Sequence, residues 1–405
     1  MDRTLTPPVV LPSSLEINHP EKITLNNGVE LYWLKDTPDE AVKLEIVWSA
    51  GTKYQNKALV ASMTNRLLLG GTAQMSENDL LNEIDIKGGY FQRSIDKDHA
   101  GVVLFGLAEK INEIFGTFRK GFEHAIFPES ILKNELRISK QKFKVDQEKV
   151  KILCHRLFNE EIFGKDNPYG RIAELGDYDK VERIDLENFY VRHYRQTLPT
   201  IFLVGNVDDS LINELNEFTK CFEVIKANKP TLQKFPQIGK RIHEEKKGAI
   251  QSALRIGKIM FRKDHKDYFD FQILNTILGG YFGSRLMANI REDKGYTYGI
   301  GSGMAVLEEV GYFFIATEVG SDVREEAISE ILKEINRLRT ELIPEDELRK
   351  VQNYLVGDFL RQTDGIFNLM EAYKNIHFNQ VPLTYYDDFV KAIHKVDKDG
   401  ICNCR

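Results

Sequence analysis

Apolar positions along this chain follow two periods, and the same succession occurs in each half. Alternation comes first: Val42, Leu44 and Ile46 are separated by Lys43 and Glu45, which predicts a half-buried strand. Ahead of it, Ile23-Thr-Leu-Asn-Asn-Gly-Val-Glu-Leu31 sets two β-rich runs around Asn27-Gly28, a hairpin signal. Apolar runs at Val102–Leu107 and Tyr312–Ala316 predict further strands. Each is followed by a helical stripe at i, i+3, i+4 and i+7, made of Ile111, Ile114, Phe115 and Phe118 in one half and Ile328, Ile331, Leu332 and Ile335 in the other. Beyond each stripe a Pro-Glu pair, Pro128-Glu129 or Pro344-Glu345, predicts the start of a charged amphipathic helix, where the missing proline N–H costs nothing.

The parallel extends to the turns. Asn65-Arg-Leu-Leu-Leu-Gly-Gly71 closes an apolar run as Asn275-Thr-Ile-Leu-Gly-Gly280 does, and Glu83–Tyr90 corresponds to Asn289–Tyr296. Five correspondences in one order indicate a duplicated domain. The expected fold is α+β: two homologous domains in tandem, each a mainly antiparallel sheet packed against helices. Thr200–Val204 is read as the last strand of the first copy. The Pro- and charge-rich stretch 228–247 is read as a linker between domains 1–227 and 248–405. Lys395-Val-Asp-Lys-Asp-Gly resembles Lys180-Val-Glu-Arg-Ile-Asp, after which the first copy continues for a helix and a strand. The second domain is therefore expected to be shortened at its C-terminus, with a sheet edge left unpaired.

Composition narrows the function classes. Of 405 residues 42% are hydrophobic and 29% charged, ample for a core and unlike a disordered chain. The 55 basic and 61 acidic residues give a net charge of −6 with no basic block, which argues against a nucleic-acid binder. No apolar run has the length of a signal peptide or a membrane span, so a cytoplasmic chain without a membrane partner is expected.

Self-contained catalytic motifs are missing. The nine histidines are scattered, and no H-x-x-x-H or H-E-x-x-H pair occurs. His243-Glu-Glu reads as a solvated linker fragment, and Cys402-x-Cys404 as a tail. Gly301-Ser-Gly303 lacks the spacing of a nucleophile elbow, and the glycines at 279–280 and 299–303 lack the Lys-Ser/Thr of a phosphate loop. The richest segment is Gly279-Gly-Tyr-Phe-Gly-Ser-Arg-Leu-Met-Ala-Asn-Ile-Arg-Glu-Asp-Lys-Gly-Tyr-Thr-Tyr-Gly299. Its Arg285, Arg291, Tyr296 and Tyr298 suit a surface that grips a peptide.

Leu278–Gly303 resembles the signature of the second homologous domain of the M16 metallopeptidases, the family of pitrilysin, insulin-degrading enzyme, mitochondrial processing peptidase and the core subunits of respiratory complex III. The resemblance extends over nearly the whole chain. It implies that Arg291 and Tyr298, seven positions apart, engage substrate near the zinc site of another domain. Active members carry H-x-x-E-H just before a Gly-Thr. Anchored on Gly71-Thr72, those positions are Ser62, Asn65 and Arg66, and the third ligand, a Glu, falls near Lys142. Glu135 matches a family Glu that is not itself the ligand. Ligands and base are thus all replaced, two of them by cations that would repel a metal ion. A one-residue slip restores nothing, because no His lies between His19 and His99.

The resemblance implies a chain not catalytic alone and without a cofactor of its own: the non-catalytic subunit of a heterodimeric zinc peptidase. Its Arg291 and Tyr298 would hold an extended peptide against the zinc of an H-x-x-E-H-bearing partner. The alternatives are a purely structural scaffold like the complex III core subunits, and a standalone peptide-binding protein.

Overall fold

The computed structural model describes residues 18–35, 37–225, 230, 232–236 and 239–396. The tail Cys402-x-Cys404, the N-terminal segment and parts of the expected linker lie outside them. The chain forms two compact units that divide between Arg241 and Ile242. Among the described residues no helix is long and apolar enough to cross a membrane.

The first unit is built on β1 (Glu21–Thr24), β2 (Glu30–Leu34), β3 (Ala41–Trp48), β4 (Tyr90–Ile95), β5 (Ala100–Leu107) and β6 (Thr200–Val204). They form one sheet in the order β1-β2-β6-β3-β5-β4, antiparallel except where β2 runs parallel to β6. The expected hairpin is present, with Asn27 and Gly28 both at positive φ. Helices α1 (Val60–Arg66), α2 (Glu77–Ile86), α3 (Ile111–Glu123), α4 (Glu129–Asp146), α5 (Val150–Phe163), α6 (Arg183–Tyr190) and α7 (Asp209–Thr219) complete the unit. Val42, Leu44, Ile46 and Trp48 of β3 enter the core with Phe115, Phe118 and Phe122 of α3 and Phe218 of α7. There Trp48 stacks on Phe122, ring centroids 5.3 Å apart.

One expectation fails here. Lys43 and Glu45 do not face solvent; they are only 9% and 5% exposed, so β3 is buried on both faces rather than half-buried. Alternating charge normally marks a wet face, but these two ions pair with each other at 3.3 Å. The Lys43 ammonium also lies over the Phe105 ring. Mutual neutralisation lets both side chains be covered.

The second unit contains β7 (Gln251–Met260), α8 (Tyr268–Asn275), β8 (Ile300–Val306), β9 (Gly311–Gly320), α9 (Arg324–Thr340), α10 (Glu345–Gln362), α11 (Ile366–Asn379) and α12 (Tyr385–Lys395). Its sheet, three-stranded among the described residues, has the order β7-β9-β8, wholly antiparallel. This repeats β3-β5-β4 of the first unit. Ile256 opposite Ile315, with Leu254, Phe313 and Ile300, packs against α8, α9, α10 and α12. Pro128 and Pro344 each cap their helix, one residue ahead of its first turn. The two copies also share a helix stop. Gly88 (φ +69°) after α2 and Gly295 (φ +67°) after the π-helical segment Met287–Asp293 adopt the left-handed conformation a helix C-terminus favours. The N–H groups that follow bond back into the helix, Gly89 to the Ile84 carbonyl five residues earlier and Tyr296 to that of Ile290 six residues earlier.

Candidate functional site

Two places need building from their residues: the helix α1 that would carry a metal motif, and the Gly-rich segment of the second unit.

On α1, Ser62 and Arg66 lie one turn apart, the spacing at which two ligands share a helix face. Neither is available to a metal. Ser62 Oγ donates to the Leu59 carbonyl at 2.9 Å, closing the first turn. The Arg66 guanidinium donates to Glu135 of α4 at 2.6 Å and to Ser139 Oγ at 3.3 Å. Asn65 is buried, its amide donating to the Tyr194 hydroxyl at 3.2 Å and to the Gly101 carbonyl at 3.4 Å. Burial pushes the Tyr194 hydroxyl pKa up, so Tyr194 stays a neutral partner.

Beside them Arg93 of β4 pairs with Glu77 of α2 at 3.2 Å. Burial lowers the Arg93 pKa, Glu77 opposes that, and the Arg66 charge adds to the lowering. The four side chains therefore form one alternating charge cluster. Lys142, two helical turns beyond Glu135, is exposed on α4. Its electrostatic neighbour is Asp146, a carboxyl held low first by the hydrogen bond from Lys149 and further by Lys142. The structure thus brings Arg66 to Glu135, while Lys142 makes no hydrogen bond or ion pair among the described residues. Among the described residues no group of three His, Cys, Asp or Glu side chains could hold a metal ion. The residues at these positions do not fit zinc: two are hydrogen-bond donors to protein oxygens and two are cations.

The second place is organised oppositely. Gly279 lets the helix end lie on β8, since a Cβ there would come within 2.7 Å of the Ser302 backbone nitrogen. Arg285 and Tyr296, expected on a gripping surface, are committed inward. Arg285 forms a bidentate pair with Glu347 of α10 at 2.9 and 2.7 Å and is largely buried. Tyr296 packs on the core beside Ile290. From the same helical segment Asn289 donates to Glu330 and Glu334 of α9 at 2.9 and 2.7 Å. Met287 and Ile290 are buried.

With those three faces used, Arg291 is left outward. Among the described residues its guanidinium makes no hydrogen bond or ion pair; it lies over the Phe282 ring, 4.7 Å from the centroid. Tyr298 is 94% exposed, and its neighbours explain why. Thr297 Oγ1 donates to the Glu318 carbonyl at 2.7 Å and accepts from Thr317 Oγ1 at 2.9 Å, pinning the loop to β9. The Gly299 N–H donates to Thr297 Oγ1 and closes a tight turn. A pinned loop therefore presents an exposed tyrosine.

Sequence reasoning missed Glu77, Arg93, Ser139 and Phe282. The first three carry no local signal, because their partners lie on other elements. Phe282 could have been found as one of two large aromatics, with Tyr281, set between Gly280 and Gly283.

Comparison with known proteins bears on the fold. The family model described as Peptidase M16 inactive domain matches residues 180–355, beginning inside the first unit and ending in α10. An uncharacterized zinc protease of Bacillus subtilis (strain 168), YmxG, is 22% identical over 343 residues, 84% of this chain and 83% of its own. A probable inactive metalloprotease of the same organism, YmfF, is 23% identical over 295 residues, 70% of this chain and 67% of its own. A crystal structure of a peptidase M16 inactive domain from Pseudomonas fluorescens superposes with a TM-score of 0.86 at 19% identity, over 95% of this chain and 94% of that one. The fold is thus that of M16 peptidases, and the chain is similar to members of that family without carrying an H-x-x-E-H motif in its sequence.

Proposed function

We propose that this M16-type chain is the non-catalytic subunit of a heterodimeric zinc peptidase, cytoplasmic, holding an extended peptide for a partner that bears H-x-x-E-H. The observation that carries the reading is Arg291: a guanidinium with no protein acceptor among the described residues, stacked on an aromatic ring, seven positions before an exposed tyrosine on a pinned loop. Arginines left without a carboxylate and oriented by a ring suit a carbonyl or carboxylate brought by a ligand.

In this role Arg291 and the Tyr298 hydroxyl donate hydrogen bonds to backbone carbonyl oxygens of the peptide. Donors aimed at oxygens that gain charge during reaction lower its barrier. The α1 cluster takes no part in the chemistry; Arg66 and Glu135 hold the site of the first copy closed. Zinc belongs to the partner in this reading, and no cofactor to this chain.

The test is cleavage of a fluorogenic peptide library by this chain, by a co-encoded H-x-x-E-H subunit, and by the two mixed, each with zinc. An Arg291→Ala/Tyr298→Phe variant is assayed in the mixture. Activity in the mixture alone, weakened in the variant, supports a peptide-holding subunit. Equal activity with and without this chain overturns it in favour of a scaffold or a sequestering protein. Chelator-sensitive cleavage by this chain alone overturns the inert assignment of Ser62, Asn65 and Arg66.

A further inference from the structure

The peptide-holding role of Arg291 and Tyr298 leaves Phe282 unexplained, and its placement is unfavourable by itself. The ring is 64% exposed, forgoing most of the stabilisation that burial would supply. Its neighbour Tyr281 does turn inward, packing on Tyr354 of α10 with ring centroids 5.0 Å apart. Phe282 instead lies beneath Arg291. A guanidinium over a ring face keeps its N–H donors in its own plane, so the stack sets the tilt of the fork without consuming a donor. The part of the ring that Arg291 does not cover is an open apolar surface beside those donors.

We infer that Phe282 is the positioning residue for Arg291 and, through its uncovered part, an apolar subsite selecting peptides with an aromatic side chain next to the carbonyl that Arg291 binds. This rests on the peptide-holding reading above and adds a preference to it. Aromatic side chains fit better than aliphatic ones because an exposed ring offers an offset or edge-to-face partner as well as apolar area.

Fluorescence anisotropy with the full chain tests it. The probes are two fluorescein-labelled, C-terminally amidated dodecapeptides of Ala, Ser and Gln, identical except for a central Phe in one and Ala in the other. The wild type is expected to bind the Phe peptide about fivefold more tightly. Phe282→Leu, which keeps an apolar side chain without the ring, should remove that preference and weaken the Ala peptide by about twofold to fivefold through the loosened Arg291. Phe282→Trp should keep the preference. Arg291→Ala should weaken both peptides by a common factor. Because the ring is exposed, the melting temperature of Phe282→Leu should match wild type, which separates loss of the subsite from loss of fold. A preference intact in Phe282→Leu overturns the inference while leaving the peptide-holding reading standing. Wild-type chain that binds neither peptide, or binding unchanged by Arg291→Ala, overturns both.

Discussion

The helix-to-strand turn of the first copy and that of the second share their architecture, down to the left-handed glycines Gly88 and Gly295, yet treat polar side chains in opposite ways. Around α1 each charged group has an internal partner: Arg66 with Glu135, and Arg93 with Glu77. Around Met287–Asp293, Arg285 and Asn289 are bound inward, while Arg291, Phe282 and Tyr298 face outward. In the first region the charges neutralise one another; in the second the Arg291 donors stay unused among the described residues. The two regions differ less in how many charged residues they hold than in how many of those are committed to protein partners.

The largest expected effect falls on the open region. In the mixed-subunit assay Arg291→Ala/Tyr298→Phe should lower kcat/KM by about two to three orders of magnitude, the range for losing donors to a developing oxyanion. A drop below tenfold would place the two groups outside the reacting site. Next comes a pH effect on the first unit. His193 is buried between Tyr54 and Phe189, and burial lowers its pKa from 6.5 to about 4. Above pH 6.5 the imidazole is neutral in both folded and unfolded chains, and its contribution is level. As pH falls from 6.5 towards 4 the unfolded chain takes up a proton that the folded one refuses. Stability should then decline by about 2–3 kcal/mol. Urea midpoints at pH 7 and 4.5 for wild type and His193→Gln measure this, and equal pH dependence in the two proteins would contradict it.

A smaller effect is expected where the second region turns inward. Arg285→Ala breaks a bidentate pair whose Arg is mostly buried and whose Glu347 is partly exposed, costing about 2 kcal/mol in urea unfolding. A neutral result would mean Arg285 belongs with the free groups. Smallest of all, Arg66→Met should cost less than about 1 kcal/mol, since Arg66 is half-exposed in its pair with Glu135. The same comparison with excess zinc should leave the thermal midpoint of wild type unchanged. A rise in that midpoint on adding zinc would reveal ligands that the replaced positions do not supply.

Much of the architecture was legible in the sequence. Thr200–Val204 is β6 over the same residues, the stripes from Ile111 and Ile328 are α3 and α9, and both Pro-Glu pairs open helices. The order of the Gly-Gly turns anticipated the repeat of β3-β5-β4 as β7-β9-β8. These features depend on periods of two or about three and a half residues and on caps that act within a single turn, so neighbours in sequence suffice to specify them. Turn spacing and resemblance singled out Ser62, Asn65, Arg66, Arg291 and Tyr298 as candidate positions.

Their fates were not. Lys43 and Glu45 alternate like a solvent face and are buried, because each neutralises the other under cover that no local pattern announces. Arg66, Arg285 and Arg291 are chemically identical and all follow glycine-rich or helical stretches. One meets a carboxylate 69 residues away, one a carboxylate 62 residues away, and one a phenyl ring with its donors unused. The sequence by itself determined the strands, the helices and their duplication, because those follow from local backbone preference and the spacing of apolar side chains. Only the tertiary structure decided which arginine remained free, because a side chain's commitment depends on which distant elements the packed sheets and helices bring within hydrogen-bonding reach.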